Sequence, residues 1–353
     1  MHWELSDEQE LFSTSLREWT AAKFATDAVR RLCEGDTANV FTAKLVEEGW
    51  WGIGYPEANG GQGGGVLEMA LAAREYGRAA VPSSLWFAAA LAAPLLDEAE
   101  LGAQSIGESV TVLALRADKV PTVDCLVPVD GKITGTVGHV LGATEAATFL
   151  VLVEGPDSPR VARVHARDAE LTPDDLLDLS RSTSTVRFDN APIVDALELD
   201  LSAFDRVRDI AAVLTAADAL GSAEKMLELA VEYSKQRKQF GQFIGAFQAV
   251  KHAAAQMLVT VESSFSIALY AAAAIEDGLA DASTTAAVAK AQVTSSVAGL
   301  ADSALTVHGA IGYTWEHDLQ LFYKRAKLDR MLFGSPSVWN ERVATALLDS
   351  RPV

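Results

Sequence analysis

Cysteine is scarce in this 353-residue sequence, which contains Cys33 and Cys125 and no others. The two are far apart, lack CxxC spacing and have no histidine cluster beside them. This pattern excludes a disulfide scaffold and gives no support to a metal site. We therefore expect two reduced thiols in a cytoplasmic protein without a bound metal.

Long apolar runs are also missing. The N-terminal segment MHWELSDEQE has no basic stretch followed by an apolar one, and no later stretch reaches about 18 uninterrupted apolar residues. From these two absences we expect a soluble, unexported chain that makes no membrane contact.

Basic residues are in the minority, since 29 Lys and Arg stand against 48 Asp and Glu, for a formal net charge of -19. No long basic block offsets the repulsion of anionic polymers, so nucleic acid is excluded as a partner. The hydrophobic content of 49% and the length predict an ordinary globular protein of two or three domains.

The first hundred residues show helical spacing of apolar residues, beginning where Ser6 and Gln9 match a capping box. A glycine cluster at 60–65 then leads into the helical pattern VLEMALAAREYGRAA. No strand pattern precedes the cluster and GxGxxG is absent, so we interpret it as a loop and not as a dinucleotide phosphate loop.

Short segments rich in β-branched residues run from about Val110 to Pro192, with turn signals at Asp130-Gly131 and Gly155-Pro156. Among them, DGKITGTVGHVLGATEAATFLVLV predicts a central hairpin. Helical periodicity returns after this region and continues to the C-terminus. The predicted domains are a helical one at 1–108, a small β domain at 109–197 and a helical bundle at 198–353.

Several helix ends in the last third carry capping signals. Gly278 is predicted to close one long helix, and Ser283 is predicted to cap the next. Ser335 as N-cap and Pro336 at the first helical position predict the start of the last helix.

Three motifs in this order of elements resemble the acyl-CoA dehydrogenase family along nearly the whole chain. They are Arg237-x-Gln239-Phe240-Gly241 with Phe247-Gln248 after it, the stretch VHGAIGYTWEHDLQLFYKRAK, and, more weakly, GWWGIGYPEANGGQGG. The resemblance implies an α+β fold with an N-terminal helical domain, a middle β domain and a C-terminal four-helix bundle. It also implies an FAD-dependent oxidoreductase that introduces an α,β double bond into an acyl-CoA, with a glutamate as base and an electron-transfer flavoprotein as electron acceptor.

In that family the first motif reaches across a subunit interface to the FAD pyrophosphate of a neighbouring chain. A guanidinium fork suits pyrophosphate oxygens, Phe240 can cover an apolar ring face, and Gly241 is predicted to end the helix. The alternative is a solvated basic turn. The resemblance implies these cofactor contacts: Arg237, Gln239, Phe240, Ile244, Phe247, Thr306, His308, Gly309 and Ala310.

Two of those positions depart from the family, because Thr306 stands where a glutamine is expected and Ala310 where a second glycine is expected. For His308 the alternative is a packed turn between helices. The run Lys324, Arg325 and Lys327 is interpreted as a solvated helix face. The neighbouring Trp-Glu-His-Asp sequence at 315–318 lacks metal-ligand spacing.

The base that the family requires has no counterpart here. Phe333 stands at the usual glutamate position, and Ala211 stands at the position that a minority of the family uses. Asp209 and Asp218 lie near Ala211 but out of register, since a helix turns by about 100° per residue. No catalytic residue is therefore assigned. The β region also lacks the family's flavin-binding loop and tryptophan strand.

These losses suggest the non-base subunit of a heterotetramer of two unlike chains (an α2β2 complex), which completes an FAD site that the partner owns. Family members of this kind act on bulky thioesters such as steroid side chains. Two alternatives remain open: an active homotetramer with a displaced base, for which Asp209 is the candidate, and a scaffold that binds no flavin.

Overall fold

The computed structural model describes residues 5–35 and 38–349. Its first part is helical, and the predicted capping box is confirmed, because the Ser6 hydroxyl accepts the Gln9 amide while the Gln9 side chain accepts the Ser6 amide. The glycine cluster at 60–65 is a loop, as predicted. The helices are α1 (Asp7–Lys23), α2 (Thr26–Glu34), α3 (Ala38–Glu47), α4 (Val66–Ala79), α5 (Ser84–Ala92) and α6 (Glu98–Ser105).

Eight strands follow, in two four-stranded sheets. They are β1 (Thr111–Leu113), β2 (Pro128–Val129), β3 (Lys132–Leu141), β4 (Thr148–Val153), β5 (Arg160–His165), β6 (Ala169–Pro173), β7 (Thr183–Pro192) and β8 (Asp195–Glu198). One sheet has the order β1-β4-β5-β8, with β1 parallel to β4, and the other is antiparallel with the order β2-β3-β7-β6.

The predicted central hairpin is wrong, because β3 and β4 belong to different sheets. Gly142 follows β3 with φ at 66°, a left-handed conformation that glycine adopts without steric cost. A Cβ on Gly142 would lie 3.0 Å from the Leu85 Cα, so this corner also packs closely on α5. The chain therefore crosses from one sheet to the other at Gly142.

The last part is a helical bundle with one small hairpin. Its elements are α7 (Leu201–Gln236), β9 (Lys238–Gln239), β10 (Gln242–Phe243), α8 (Gln248–Glu276), α9 (Ala282–His308), α10 (Leu319–Met331) and α11 (Pro336–Asp349). Among the described residues, α8 is the one helix long and apolar enough to cross a membrane by length and composition, and it packs against α7 and α9 as a bundle helix does. The domain limits at 108 and 197 stay predictions.

Two helix-end predictions are confirmed and one is wrong. Pro336 is the first residue of α11, and Gly278 follows the end of α8 with φ at 63°. The residue before α9 is Asp281, so Ser283 lies inside the first turn and is not the cap. Its hydroxyl instead donates to a carboxylate of α7, Asp209, at 2.5 Å.

Helices α4 and α7 cross almost in backbone contact. A Cβ at Gly77 would lie 2.0 Å from the Asp218 carbonyl oxygen, and one at Gly221 would lie 1.8 Å from that of Arg74. The two glycines therefore let the N-terminal helices dock directly on the longest helix of the bundle. This crossing places α5 and the β region against the middle of α7.

Candidate cofactor and acyl-CoA site

The Arg237 turn lies at the C-terminus of α7. The helix ends at Gln236, and the Arg237 amide still donates to the Tyr233 carbonyl at 2.9 Å. Strands β9 and β10 then form a hairpin whose two turn residues, Phe240 and Gly241, have φ values of 51° and 80°. The prediction that Gly241 ends the helix is therefore wrong, because Gly241 is the second residue of a tight hairpin turn, where positive φ is required.

Phe240 stands at the tip of this hairpin with 92% of its surface exposed. A bulky residue with positive φ is uncommon, and a large apolar ring in solvent gains nothing from its exposure. Its ring meets the edge of Phe247, which is half-buried, at a centroid distance of 6.2 Å. The hairpin thus presents the Phe240 ring to solvent, while Phe247 supports that ring from below.

Arg237 and Gln239 are both exposed on this turn. No hydrogen bond or ion pair joins the Arg237 side chain to another described residue, so its guanidinium can bind an oxyanion ligand from outside the chain. Ile244, also predicted as a cofactor contact, has a buried side chain, and its amide donates to the Arg237 carbonyl at 2.8 Å. In this chain Ile244 closes the base of the hairpin.

The second predicted motif lies at the C-terminus of α9. His308 is buried, and its Nδ1 donates to the Ala304 carbonyl at 2.7 Å. Burial lowers the pKa of this imidazole, although that hydrogen bond opposes the change. Gly309, with φ at 64°, and Ala310 are exposed. The Thr306 hydroxyl donates to the Asp302 carbonyl at 2.8 Å.

Tyr233 brings the two motifs together. Its ring stacks on His308 with centroids 4.7 Å apart and an interplanar angle of 25°. The sequence analysis missed this residue. The available signal was its spacing, because a residue four positions before Arg237 lies one helical turn below it on the same face.

Phe333, the predicted position of the family's base, lies in the turn between α10 and α11. Phe333 is 1% exposed, and its ring stacks on Phe87 of α5 at 5.9 Å with an interplanar angle of 22°. On α9, Lys290 is fully buried and donates to the carbonyls of Asp329 and Gly334 at 3.0 Å each. Burial lowers the pKa of this ammonium to about 7.

Segment 116–120 joins this turn to the β region by backbone hydrogen bonds. The Ala117 amide donates to the His139 carbonyl at 3.0 Å, and the Ala117 carbonyl accepts the Phe333 amide at 2.6 Å. A Cβ at Gly334 would lie 3.0 Å from the Val120 amide nitrogen, so the segment lies directly on the turn. The β region and the bundle are therefore in backbone contact at the usual base position.

The second base position is equally apolar. Ala211 is fully buried in α7. Asp209 lies near it in sequence, but its carboxylate accepts the Ser283 hydroxyl at the start of α9. Burial raises the pKa of Asp209, and the Ser283 hydrogen bond opposes this change. The structure thus uses Asp209 to tie α7 to α9.

The interpretation of the YKRAK run as a solvated face is wrong for Arg325, which is fully buried. Its guanidinium donates to both Asp218 oxygens, at 2.7 and 2.8 Å, and to the Val81 carbonyl at 2.7 Å. Ser83 and Ser180 also accept from it, at 3.1 Å each. One arginine therefore contacts the α4–α5 link, the β region and α7.

Arg181 and Asp329 complete this buried cluster. Arg181 pairs with Asp218 at 3.0 Å and lies 3.9 Å from Asp329. Although burial alone would raise it, the two guanidinium groups bring the pKa of Asp218 down to about 2. Burial and the neighbouring Asp218 raise the pKa of Asp329 well above the ordinary value. The sequence analysis missed the cluster because its members are far apart along the chain.

The glycine loop does not offer a phosphate site. Glu68 accepts the Gly65 amide at 2.8 Å, and Glu276 of α8 accepts the Leu67 amide at 2.9 Å. Two carboxylates therefore occupy the N-terminus of α4, where a phosphate would have to bind.

Two residues of the 315–318 sequence make contacts within the protein. Asp318 pairs with Arg30 at 2.8 Å, and His317 Nδ1 accepts the Leu319 amide at 3.1 Å. Within 5–35 and 38–349, no group of three or more His, Cys, Asp or Glu side chains is placed to hold a metal ion.

Comparison with known proteins covers most of the chain. Residues 6–100 match the family model described as the acyl-CoA dehydrogenase N-terminal domain, and residues 207–348 match the one described as the C-terminal domain. The chain is 34% identical to acyl-CoA dehydrogenase FadE34 of Mycobacterium tuberculosis over 97% of this chain and 48% of that protein, so it spans about half the length of that relative. It is 31% identical to acyl-CoA dehydrogenase IpdE2 of the same organism over 91% of this chain and 86% of that protein.

Solved structures share the fold. A variant of the Tcur3481-Tcur3483 steroid ACAD is 24% identical, with a TM-score of 0.86 over 97% of this chain and 98% of that one. The ChsE4-ChsE5 complex of Mycobacterium tuberculosis is 22% identical, with a TM-score of 0.88 over the whole of both chains. The predicted α+β fold class is confirmed.

Proposed function

The chain belongs to the acyl-CoA dehydrogenase family, and from this premise we propose that it is the non-base subunit of an FAD-dependent acyl-CoA dehydrogenase. In this proposal an unlike partner supplies the catalytic glutamate and most of the FAD site. This chain contributes the Arg237 turn to that site.

One asymmetry of the structure carries the proposal. The groups that a subunit offers to its neighbour are presented outward, with the Arg237 side chain unpaired among residues 5–35 and 38–349 and Phe240 at the tip of a hairpin. The groups that a subunit needs for its own acyl-CoA are replaced by a closed contact between Phe333, Phe87 and Ala117. Phe333 cannot act as a base, because its side chain is an apolar ring. The ring is also buried in the core, where a thioester cannot reach it.

The comparisons support an assembly of two unlike chains. The two similar structures are named by pairs of proteins, Tcur3481-Tcur3483 and ChsE4-ChsE5. FadE34 is about twice as long as its match to this chain, which leaves room for a second unit of the same size. We therefore infer a partner that is itself an acyl-CoA dehydrogenase chain, and a bulky acyl group such as a steroid side chain as substrate.

The residues of the Arg237 turn fit an FAD dinucleotide. Bound FAD supplies the hydride acceptor, and that chemistry belongs to the cofactor. Arg237 binds pyrophosphate oxygens through its planar fork of donors, a geometry that lysine does not reproduce. Phe240 excludes water from an apolar face of the ligand, and the exposed backbone at Gly309 and Ala310 approaches without steric hindrance. We infer an electron-transfer flavoprotein as the acceptor that reoxidises the enzyme.

The experiment is the FAD content of the chain expressed alone and then together with an acyl-CoA dehydrogenase homologue that has the glutamate. We expect no flavin absorption from the chain alone, and FAD at about half the total chain count in the mixed assembly, because a shared site needs both chains. A homomeric chain that holds its own FAD and reduces it with an acyl-CoA would disprove the proposal.

A pair of variants tests the turn itself. Arg237→Ala should release most of the FAD from the mixed assembly, whereas Lys238→Ala, the neighbouring exposed cation that packs on the Phe243 ring, should retain it. Equal retention by both variants would show that the turn does not contact FAD.

A further inference from the structure

Two turns follow the C-termini of two different helices. The Arg237 turn (237–247) follows α7, and the Gly309 turn (309–317) follows α9. Neither turn can hold the other in place through its exposed residues, because Arg237, Gln239, Phe240, Gly309 and Ala310 all face solvent. Their relative position must therefore be set below the surface, where the two helix ends pack together.

Three rings lie at these helix ends, with His308 buried and Tyr233 and His317 half-buried, and we call Tyr233, His308 and His317 the aromatic stack. The three ring centroids form a triangle, in which His308 stacks on Tyr233 at 4.7 Å and meets His317 edge to face at 4.6 Å. Tyr233 and His317 also meet edge to face at 6.2 Å. Offset and edge-to-face arrangements are the favourable geometries for ring pairs.

A hydrogen bond fixes each of the three residues beside one of the two turns. The Tyr233 carbonyl accepts the Arg237 amide at 2.9 Å, so this ring lies one helical turn below the hairpin. His308 directly precedes Gly309, and its Nδ1 donates to the Ala304 carbonyl, which fixes the plane of the imidazole. His317 is held in turn by the Leu319 amide at the start of α10.

The Gly309 turn packs closely on His308 at Gly312. A Cβ at Gly312 would lie 3.0 Å from the His308 Cβ and 2.9 Å from a Leu305 methyl carbon. The far side of the same loop is tied to α2, where Arg30 pairs with Asp318 and also donates to the Trp315 carbonyl. A shift of His308 would therefore move the Gly309 turn with it.

We propose that the aromatic stack is the positioning device that holds the Arg237 turn and the Gly309 turn in one fixed arrangement, so that a single FAD of the partner subunit meets both. The inference rests on the proposed function. It adds that Tyr233 and His308 act through the two turns without touching the cofactor. Groups held in advance in their binding arrangement lose less conformational entropy when the ligand binds.

The first test is hydrogen exchange in the isolated chain, without FAD. Tyr233→Ala removes the ring that joins the two helix ends and should raise amide exchange by about tenfold in both 237–247 and 309–317. Tyr233→Phe keeps the ring and should leave both segments protected. Phe204→Ala provides the matched control, since it removes a buried ring from the opposite end of the same helix.

The alternative outcomes are distinct. A rise in only one of the two segments, or a rise in both that Phe204→Ala reproduces, would overturn the inference, because the rings would then contribute only general stability. A rise in both segments that is specific to Tyr233→Ala supports it.

The second test measures FAD retention by the mixed assembly. We expect Tyr233→Ala to weaken FAD binding by about tenfold and Tyr233→Phe to preserve it. If Arg237→Ala releases FAD but Tyr233→Ala does not, the positioning role is wrong while the proposed function stands. If Arg237→Ala also retains FAD, the proposed function itself fails.

Discussion

Phe240 and Phe333 are two phenylalanines in the left-handed region of backbone conformation, with φ at 51° and 54°. Such residues are uncommon and persist where the surrounding structure imposes them. One ring is displayed at the tip of a hairpin, and the other is buried against Phe87. The same backbone conformation therefore exposes the ring of Phe240 and buries the ring of Phe333.

Asp329 provides a test at the residue scale, because burial and the neighbouring Asp218 raise the pKa of this carboxyl well above its ordinary value. A group with a raised folded pKa contributes stability below its unfolded pKa and loses that contribution as the pH rises. In the wild type, the free energy of unfolding should fall by about 1.4 kcal/mol for each pH unit between the ordinary pKa of an aspartate and the raised pKa of Asp329. We expect Asp329→Asn, which mimics the protonated form, to remove this loss.

Urea unfolding of both proteins between pH 4 and pH 8 measures this difference. The variant should match the wild type at the acidic end and exceed it at the alkaline end. Asp218→Asn is the contrasting variant, since it leaves Arg181 and Arg325 without their shared carboxylate and should be strongly destabilising. Identical pH profiles for wild type and Asp329→Asn would mean that folding does not raise the pKa of Asp329.

Helix α7 organises the molecule at the scale of secondary structure. Its first half carries Ala211, its middle carries Asp218 and Gly221, and its end carries Tyr233 and the Arg237 turn. The second predicted base position, part of the buried cluster and one ring of the aromatic stack therefore belong to one continuous element. Any displacement of α7 would affect all three.

The crossing of α4 and α7 gives a prediction at this scale. Gly221→Ala places a methyl group against the Arg74 carbonyl, and because that contact is with backbone the helices must separate, which should cost about 3 kcal/mol or more. Gly299→Ala is the control, since Gly299 lies on an exposed face of α9 and a Cβ there would meet no other part of the molecule within 4 Å.

The control should instead stabilise the protein by roughly 0.5–1 kcal/mol, because alanine loses less backbone entropy in a helix than glycine does. Thermal or urea unfolding checks both values. A small effect of Gly221→Ala would mean that the two helices are less closely packed than the structure shows.

Arg325 acts at the scale of the whole molecule, because it contacts the α4–α5 link, the β region and α7 at once. We expect Arg325→Met to cost about 3–5 kcal/mol, since it leaves Asp218 charged and only partly paired in the core. Arg116→Met, which breaks the exposed pair with Asp118, should cost about 0–1 kcal/mol.

Unfolding monitored in the N-terminal helices, the β region and the bundle separately would check this prediction. Arg325→Met should lower the stability of all three regions together. A loss confined to α10 would show that the cluster does not couple the regions to one another.

Much of the fold was predictable because it depends on neighbours in the sequence. The capping box at Ser6, the Pro336 helix start and the order of helices, strands and helices all follow from local spacing. The central hairpin was predicted wrongly, since alternation along β3 and β4 indicates strands but not the sheet to which each belongs. The Ser283 cap was wrong because its hydroxyl prefers a distant carboxylate to the nearby backbone.

For the candidate site, the sequence by itself determined the family resemblance, the Arg237 motif and the replacement of the base by Phe333 and Ala211, since each depends on residue identity at a motif position. Only the tertiary structure decided that Arg325 is buried, that Phe333 closes against Phe87 and Ala117, and that Tyr233 joins the two turns. The physical reason is that a buried charge or a stacked ring is stabilised by its partners. Those partners come from distant parts of the chain, 107 residues apart for Arg325 and Asp218.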